Sequence, residues 1–411
     1  MLQKLERNSR RWIVLLAFCL INLCTGSVYS WSVFAGPMAE RLSLSTGQML
    51  TAGDLSIVFT VYSGMAVLMM VVGGALNSRF SSKAVLLAAG LFYGGGFCLS
   101  GMAASVGTLI LGYGILCNIG GSLAYSCTIG NAVKFFPDRR GMAGGIVTAA
   151  YGLSSMLFSP VINALNLSFG VKTAFLALGV CFLLVICVCA LFTERAPDAV
   201  LSGPDAGARN DTWQQMLAQG KFYVMYFIFF SAGFFGYMIT SQAAAMGEHI
   251  GMGATAAAVG VSLLSLANAA GRVCAGFLSD RLGRINTLTM MLLIAVCGLL
   301  LLVVSDRGGA AVFYLGILMV GLGFGAFMGV FPGFTADQFG PKNQTFNYAL
   351  MFTSFSIAGM LSPILSGHIF SRYGTYVPAY YGAILVCCVS LTLTFVFRTL
   401  SRRSAASGAQ R

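Results

Sequence analysis

Arg272 stands inside an apolar stretch, eight residues before Asp280. At ~1.5 Å per helical residue, this carries it ~12 Å along the axis from the acid that closes the stretch. In a membrane, an arginine at that depth costs ~2.5–3.5 kcal/mol on insertion scales, so its presence points to a chemical task. The task open to a guanidinium is capture of an anion, above all a planar carboxylate held by two parallel hydrogen bonds. A structural use needs a buried acid, and the apolar stretches supply no good partner: Asp54 and Glu248 fall near one set of ends, Asp280 and Asp337 near the other. The competing reading has the side chain reaching back to the polar boundary or capping a carbonyl. Ser262, Ser265 and Asn268 precede Arg272 at three- and four-residue spacing. On a helix the four share one face, which is expected to line a cavity. At comparable depths stand Thr25, Tyr29 and Ser32, then Asn118, Ser122 and Tyr125, then Tyr151, Tyr237 and Ser241. Taken singly, such residues serve helix packing; their convergence on one depth favours ligand contact.

The elements that must position these residues follow from composition. Hydrophobic residues make up 57% of the chain and charged residues 9%, against roughly a quarter charged in a soluble domain. The apolar residues come in blocks of ~20, the length a helix needs to cross a ~30 Å hydrocarbon core. The sequence therefore predicts an all-α integral membrane protein with twelve transmembrane helices near 12–36, 52–76, 84–104, 108–133, 142–166, 172–192, 221–247, 255–280, 285–305, 310–336, 347–371 and 376–398. The first block follows Arg10-Arg11 but runs past signal length with no small-residue cleavage site, so it reads as a helix and not an export signal.

The net charge of +12 is explained by topology and not by a polyanion partner. One set of loops carries most of the cations, among them Arg10, Arg11, Lys83, Arg139, Arg140, Arg281 and Arg284, while the opposite set has only Arg41, Lys172, Arg307 and Arg372. This asymmetry predicts both termini on the cytoplasmic side of the cell (inner or plasma) membrane. All 12 cysteines fall in apolar blocks, which predicts neither a disulfide framework nor a metal site. Glycine runs such as Gly94-Gly95-Gly96, Gly120-Gly121 and Gly321-Leu322-Gly323-Phe324-Gly325 follow no strand and precede no Lys-Ser/Thr; they read as close helix packing.

The polar stretch from Glu194 to Gly220 divides the blocks six and six. The expected domains are an N-terminal six-helix bundle over 1–193, a cytoplasmic linker over 194–220 and a C-terminal six-helix bundle over 221–411. The halves echo one another: Met156-Leu157-Phe158-Ser159-Pro160 answers Met360-Leu361-Ser362-Pro363, and Asn77-Ser78-Arg79-Phe80 answers Ser279-Asp280-Arg281-Leu282. Such a pseudo-symmetric repeat of six helices resembles the major facilitator fold. Gly276-Phe277-Leu278-Ser279-Asp280-Arg281-Leu282-Gly283-Arg284 closely resembles that superfamily's short loop motif, which implies a latch formed by Asp280, Arg281 and Arg284. The first-half copy is degenerate, with Asn77 in place of the acid.

From Gly26 to the twelfth span the chain resembles the oxalate/formate antiporter branch of that superfamily. The resemblance is carried by Gly26-Ser27-Val28-Tyr29-Ser30-Trp31, Lys134-Phe135-Phe136-Pro137-Asp138-Arg139-Arg140-Gly141, Tyr151-Gly152-Leu153, Asn268-Ala269-Ala270-Gly271-Arg272, Phe331-Pro332 and Asn347-Tyr348. It implies a central carboxylate site with Arg272 in the essential cationic role, Tyr29, Tyr125 and Tyr151 as cavity tyrosines, and Phe324 where the oxalate carrier has tryptophan; Asn268 joins the expected substrate-binding residues through the face it shares with Arg272. It also exposes a departure: Phe355 stands where that carrier has lysine, and Met328 replaces a tyrosine. Two cations suit a dianion; one suits a monoanion with an apolar remainder set against Phe355.

The expectation is a secondary active transporter for a monocarboxylate of the pyruvate, lactate or formate class, with no cofactor and no nucleic acid, working in the bilayer as a monomer and not as an enzyme. Alternating access coupled to anion exchange, which an unpaired Arg272 in the empty site favours, and proton symport through Asp54 or Glu248 both fit. Efflux of a drug or other solute by the same fold, and a membrane carboxylate sensor that moves nothing, are the alternative readings.

Overall fold

Residues 2–51, 54–193 and 210–408 are described by a computed structural model, and all regular structure among them is helical. Eleven stretches of described residues are long and apolar enough to cross a membrane. One of them, Arg140–Leu191, runs 52 residues and breaks at Gly170, whose φ of 77° no helix interior tolerates. Dividing it there gives the twelve expected spans. A second break, at Gly309 with φ 71°, separates Arg284–Ser305 from Gly309–Phe339. Both glycines adopt a left-handed backbone that a side chain disfavours, so each serves as a tight turn between antiparallel spans. In chain order the spans are Arg10–Thr46, Ser56–Arg79, Ser82–Gly101, Val106–Phe135, the pair within Arg140–Leu191, Gly220–His249, Thr255–Leu282, Arg284–Ser305, Gly309–Phe339, Gln344–Tyr373 and Val377–Leu400.

Span one departs from a single helix near 12–36. The α-helix ends at Thr25, a 3₁₀ turn occupies Gly26–Ser30, and a second helix, Trp31–Thr46, continues with Pro37 inside it. The tighter turn changes the carbonyl pattern of the α-helix, and carbonyls inside a bilayer need donors. Tyr93 Oη donates to the Thr25 carbonyl (2.8 Å) and Tyr113 Oη to that of Val28 (3.1 Å). Gly26 lies so close to the Tyr151 carbonyl that a Cβ there would collide with it. Span four likewise contains a π-helical segment, Ile110–Leu116.

Contacts divide the chain into two units. The first comprises Met1–Asp138, Ala150–Ala208 and Gln344–Leu350; the second Arg139–Ala149, Arg209–Asn343 and Met351–Arg411. The division therefore cuts spans five and eleven near their starts. Of the linker expected over 194–220, residues 194–209 lie outside the described residues. From there a capping box of Thr212 and Gln215 starts the short helix Trp213–Leu217, and the Asp211 N–H donates to the Phe339 carbonyl (2.9 Å), which ties this end to the second unit.

Candidate functional site

In the second unit, the helix Ala254–Leu282 carries Asn268 and Arg272 one turn apart. Its backbone lies hard against span ten. A Cβ at Gly325 would meet the Asn268 carbonyl, at Gly329 the Arg272 carbonyl and at Gly271 the Leu322 carbonyl. Gly321, Gly325 and Gly329 recur every fourth residue, so one stripe of span ten has no side chains to hold the helices apart. Gly145, at the start of span five, approaches the Arg272 carbonyl in the same way. The backbone that carries these two candidate residues is thus held by close contact on two sides.

Arg272 is 3% exposed and its guanidinium reaches back toward the helix N-terminus, as helical side chains do. Nε donates to Asn268 Oδ1 (2.8 Å) and Nη1 to the Thr148 carbonyl (2.5 Å). No carboxylate pairs with it among the described residues, and Nη2 has no acceptor among them. The guanidinium anticipated as unpaired is instead anchored by two neutral acceptors, one of them a carbonyl. Its charge remains without a counterion, and one donor group remains open. Ser265 Oγ donates to the Val261 carbonyl of its own helix (3.1 Å).

An aromatic cluster occupies the same unit. Phe324 and Phe355 stack with ring centroids 5.5 Å apart, and Tyr237 stands edge-on to both at 5.3 and 5.2 Å. Phe324 fits because position 236 is glycine; a Cβ there would overlap the ring. Phe355 is wholly buried, flanked also by Phe229 (4.9 Å) and Phe352 (5.4 Å). It builds the wall behind Phe324 and presents no free surface of its own.

The first unit brings the three predicted tyrosines together. Tyr29 meets Tyr151 edge-to-face at 5.5 Å and Tyr125 meets Tyr151 at 4.9 Å. Tyr29 projects from the 3₁₀ turn and is 40% exposed, so that irregular segment aims it outward. Tyr62, in the same unit and buried, was not singled out from sequence; its carbonyl accepts from Asn118 Nδ2 (2.7 Å). Asn118 Oδ1 is buried with no hydrogen-bond partner among the described residues. Thr148 was also missed, because it acts through its backbone, where side-chain identity carries no signal.

The latch residues form an ion network in the second unit. The Asp280 carboxylate accepts from the backbone N–H groups of Gly141 and Met142 (both 2.9 Å), capping the N-terminus of span five. Arg284 joins Asp280 (2.5 Å) to Asp337 (2.8 Å), and Arg140 donates to Asp337 (2.7 Å). Arg281, expected in the latch, is exposed and makes no ion pair among the described residues; Arg140 and Asp337 complete the network instead. At the start of span nine Arg284 reaches both Asp280 and Asp337, whereas Arg281, in the last turn of span eight, is exposed. In the degenerate copy of the first unit an amide stands in place of the acid: Asn77 Nδ2 donates to Thr345 Oγ1 (3.1 Å), to which Lys134 Nζ also donates (3.5 Å), and the Cys127 thiol donates to Asn77 Oδ1 (3.0 Å).

Of the candidate proton carriers, Asp54 is exposed, and the Thr51 hydroxyl (2.7 Å) and N–H (2.8 Å) both donate to its Oδ2. These bonds favour the charged form and hold its carboxyl below the usual carboxylate range. Glu248 is also exposed.

A family model described as Major Facilitator Superfamily matches residues 16–340. The oxalate:formate antiporter of Oxalobacter formigenes is 28% identical over 392 residues, 95% of this chain and 91% of that protein. Monocarboxylate transporter 11 of Mus musculus is 28% identical over 413 aligned residues, 95% of this chain and 87% of that protein. Among solved structures, the human organic anion transporter MFSD10 superposes with a TM-score of 0.73 at 12% identity, covering 93% of this chain and 99% of that one; at such identity the likeness shows the fold.

Proposed function

The chain belongs to the Major Facilitator Superfamily, whose members are transporters and not enzymes, and from that premise we propose that it carries a monocarboxylate of the pyruvate, lactate or formate class across the cell membrane. Arg272 receives the carboxylate, with Asn268 beside it and Phe324, backed by Phe355, in the same unit; in the first unit, Tyr29, Tyr125 and Tyr151 are the residues proposed to contact substrate. Both termini face the cytoplasm, the bundles 1–193 and 221–411 flank the linker, and the protein works as a monomer by alternating access.

The observation that carries this reading is a buried guanidinium with no counterion among the described residues and with an open donor group, Nη2. A charge so placed is costly unless compensated, and a carboxylate that accepts from Nη2 compensates it. The stack of Phe324 and Phe355 supports the choice of a monoanion, since no second cation stands where the oxalate carrier has lysine. The relatives' printed names support the same chemistry.

The test is a ligand-dependent melting screen over small carboxylates beside labelled uptake in proteoliposomes. Pyruvate or lactate is expected to raise the melting temperature of the wild type, as any ligand that binds the folded state alone does, and to leave Arg272→Ala unmoved. Oxalate taken up as fast as pyruvate or lactate overturns the monocarboxylate assignment; ligand response surviving in Arg272→Ala overturns the role of the arginine.

A further inference from the structure

Resting on the carboxylate reading above, we propose that Asn268 is a specificity-determining residue, selecting acids with an oxygen on the carbon next to the carboxylate, the 2-oxo and 2-hydroxy acids, over plain alkanoates. Asn268 precedes Arg272 by four residues and Arg272 Nε donates to its Oδ1 at 2.8 Å. A guanidinium only donates, so the amide must turn its oxygen toward it. This single bond fixes which end of the amide faces away. The amino end, Nδ2, carries two N–H donors with no acceptor among the described residues, and the side chain is half-buried and so reachable.

The result is a neutral donor of fixed orientation next to a cation. Arg272 commits Nε to Asn268 and Nη1 to the Thr148 carbonyl, which leaves Nη2 as its open group. A carboxylate drawn to the guanidinium brings its next carbon, and any oxygen on that carbon, to within two bonds of the charged group. A hydroxyl or carbonyl oxygen there accepts from Nδ2. A methylene cannot, and as the site loses water it leaves the amide donor unpaired. Sites built around a substrate oxygen reject analogues lacking it far more strongly than apolar pockets reject a missing methylene. Lactate and pyruvate meet this demand, whereas propionate, acetate and formate do not.

The experiment is counterflow in proteoliposomes loaded with unlabelled lactate, with labelled lactate, pyruvate or propionate outside. Propionate is lactate without its hydroxyl, so the pair isolates the oxygen. Wild type is expected to prefer lactate by about tenfold to a hundredfold in rate over concentration. Asn268→Leu, checked for folding by its melting temperature, is expected to lower lactate uptake and bring the lactate-to-propionate ratio near unity. A purely positioning role for Asn268 lowers both substrates in proportion and leaves the ratio intact, which overturns the proposal. So does wild type that handles the two alike, a result independent of how the variant folds. Failure of the underlying reading looks different: no carboxylate is exchanged, or exchange persists in Arg272→Ala.

Discussion

A cation held in a low-dielectric interior by neutral acceptors keeps its charge and loses its freedom. Arg272 illustrates both, since Asn268 Oδ1 and the Thr148 carbonyl fix two nitrogens of one planar group and neither cancels the charge. The plane of the guanidinium is therefore set before any anion arrives, and this preorganisation distinguishes arginine from lysine at the same position. Lysine has one nitrogen on a flexible stem and cannot hold both anchors while offering an edge to a carboxylate. Arg272→Lys is expected to fold with a melting temperature close to wild type, yet to weaken lactate or pyruvate binding at least tenfold, about 1.4 kcal/mol, when affinity is read from ligand-dependent melting. Wild-type affinity in the lysine variant means that charge alone suffices and that the fork geometry is incidental.

At the level of elements, helices are positioned by what their ends and faces lack. Span five begins with N–H groups that have no partner within its own first turn, and the carboxylate of Asp280 supplies it to Gly141 and Met142. Arg284 and Asp337 hold that carboxylate in place, so the cap belongs to a network of part-buried charges. Asp280→Asn replaces one acceptor by a donor facing an N–H and strips Arg284 of a partner; a loss of about 1–3 kcal/mol follows. Arg281→Ala, at an exposed position outside the network, is expected to change stability by less than about 0.5 kcal/mol. Thermal melting of both variants in one detergent checks the contrast, and equal losses defeat this account of the latch. The motif around Asp280 was legible because its residues are contiguous. Arg140 and Asp337 were not, since their meeting depends on how distant spans pack, which spacing along the chain does not encode. The spans themselves were legible from apolar blocks; the turns at Gly170 and Gly309, which carry the positive φ values, became visible only in the fold. The 3₁₀ turn at Gly26–Ser30 was not, because its support comes from Tyr93 and Tyr113, far along the chain. The same limit applies to Phe355: the sequence shows a missing lysine, and the fold adds that the ring is enclosed by other rings.

For the whole molecule, the question is what a transporter with this site does when no substrate accompanies the return step. Alternating access requires the site to pass through a form sealed from water on both sides. With no substrate, Arg272 enters that form as a charge with two neutral acceptors and no counterion, and burying an uncompensated charge is strongly unfavourable. With a carboxylate bound, the pair enters neutral overall. On the proposed carboxylate reading the loaded transition is expected to be faster than the unloaded one, which is the condition for exchange. Asp54 offers no relief through protonation: its bonds to Thr51 lower its pKa, so it stays ionised above the usual carboxylate range and takes up a proton only at still lower pH. The expected outcome in proteoliposomes holding labelled lactate, with equal pH inside and outside, is slow efflux into substrate-free buffer and efflux several-fold faster when unlabelled lactate or pyruvate is added outside. Asp54→Asn is expected to leave that stimulation and its pH dependence unchanged. Efflux indifferent to external substrate, together with uptake that an inward proton gradient drives, shows that a titrating acid accompanies the substrate and that the arginine's charge does not set the slow step.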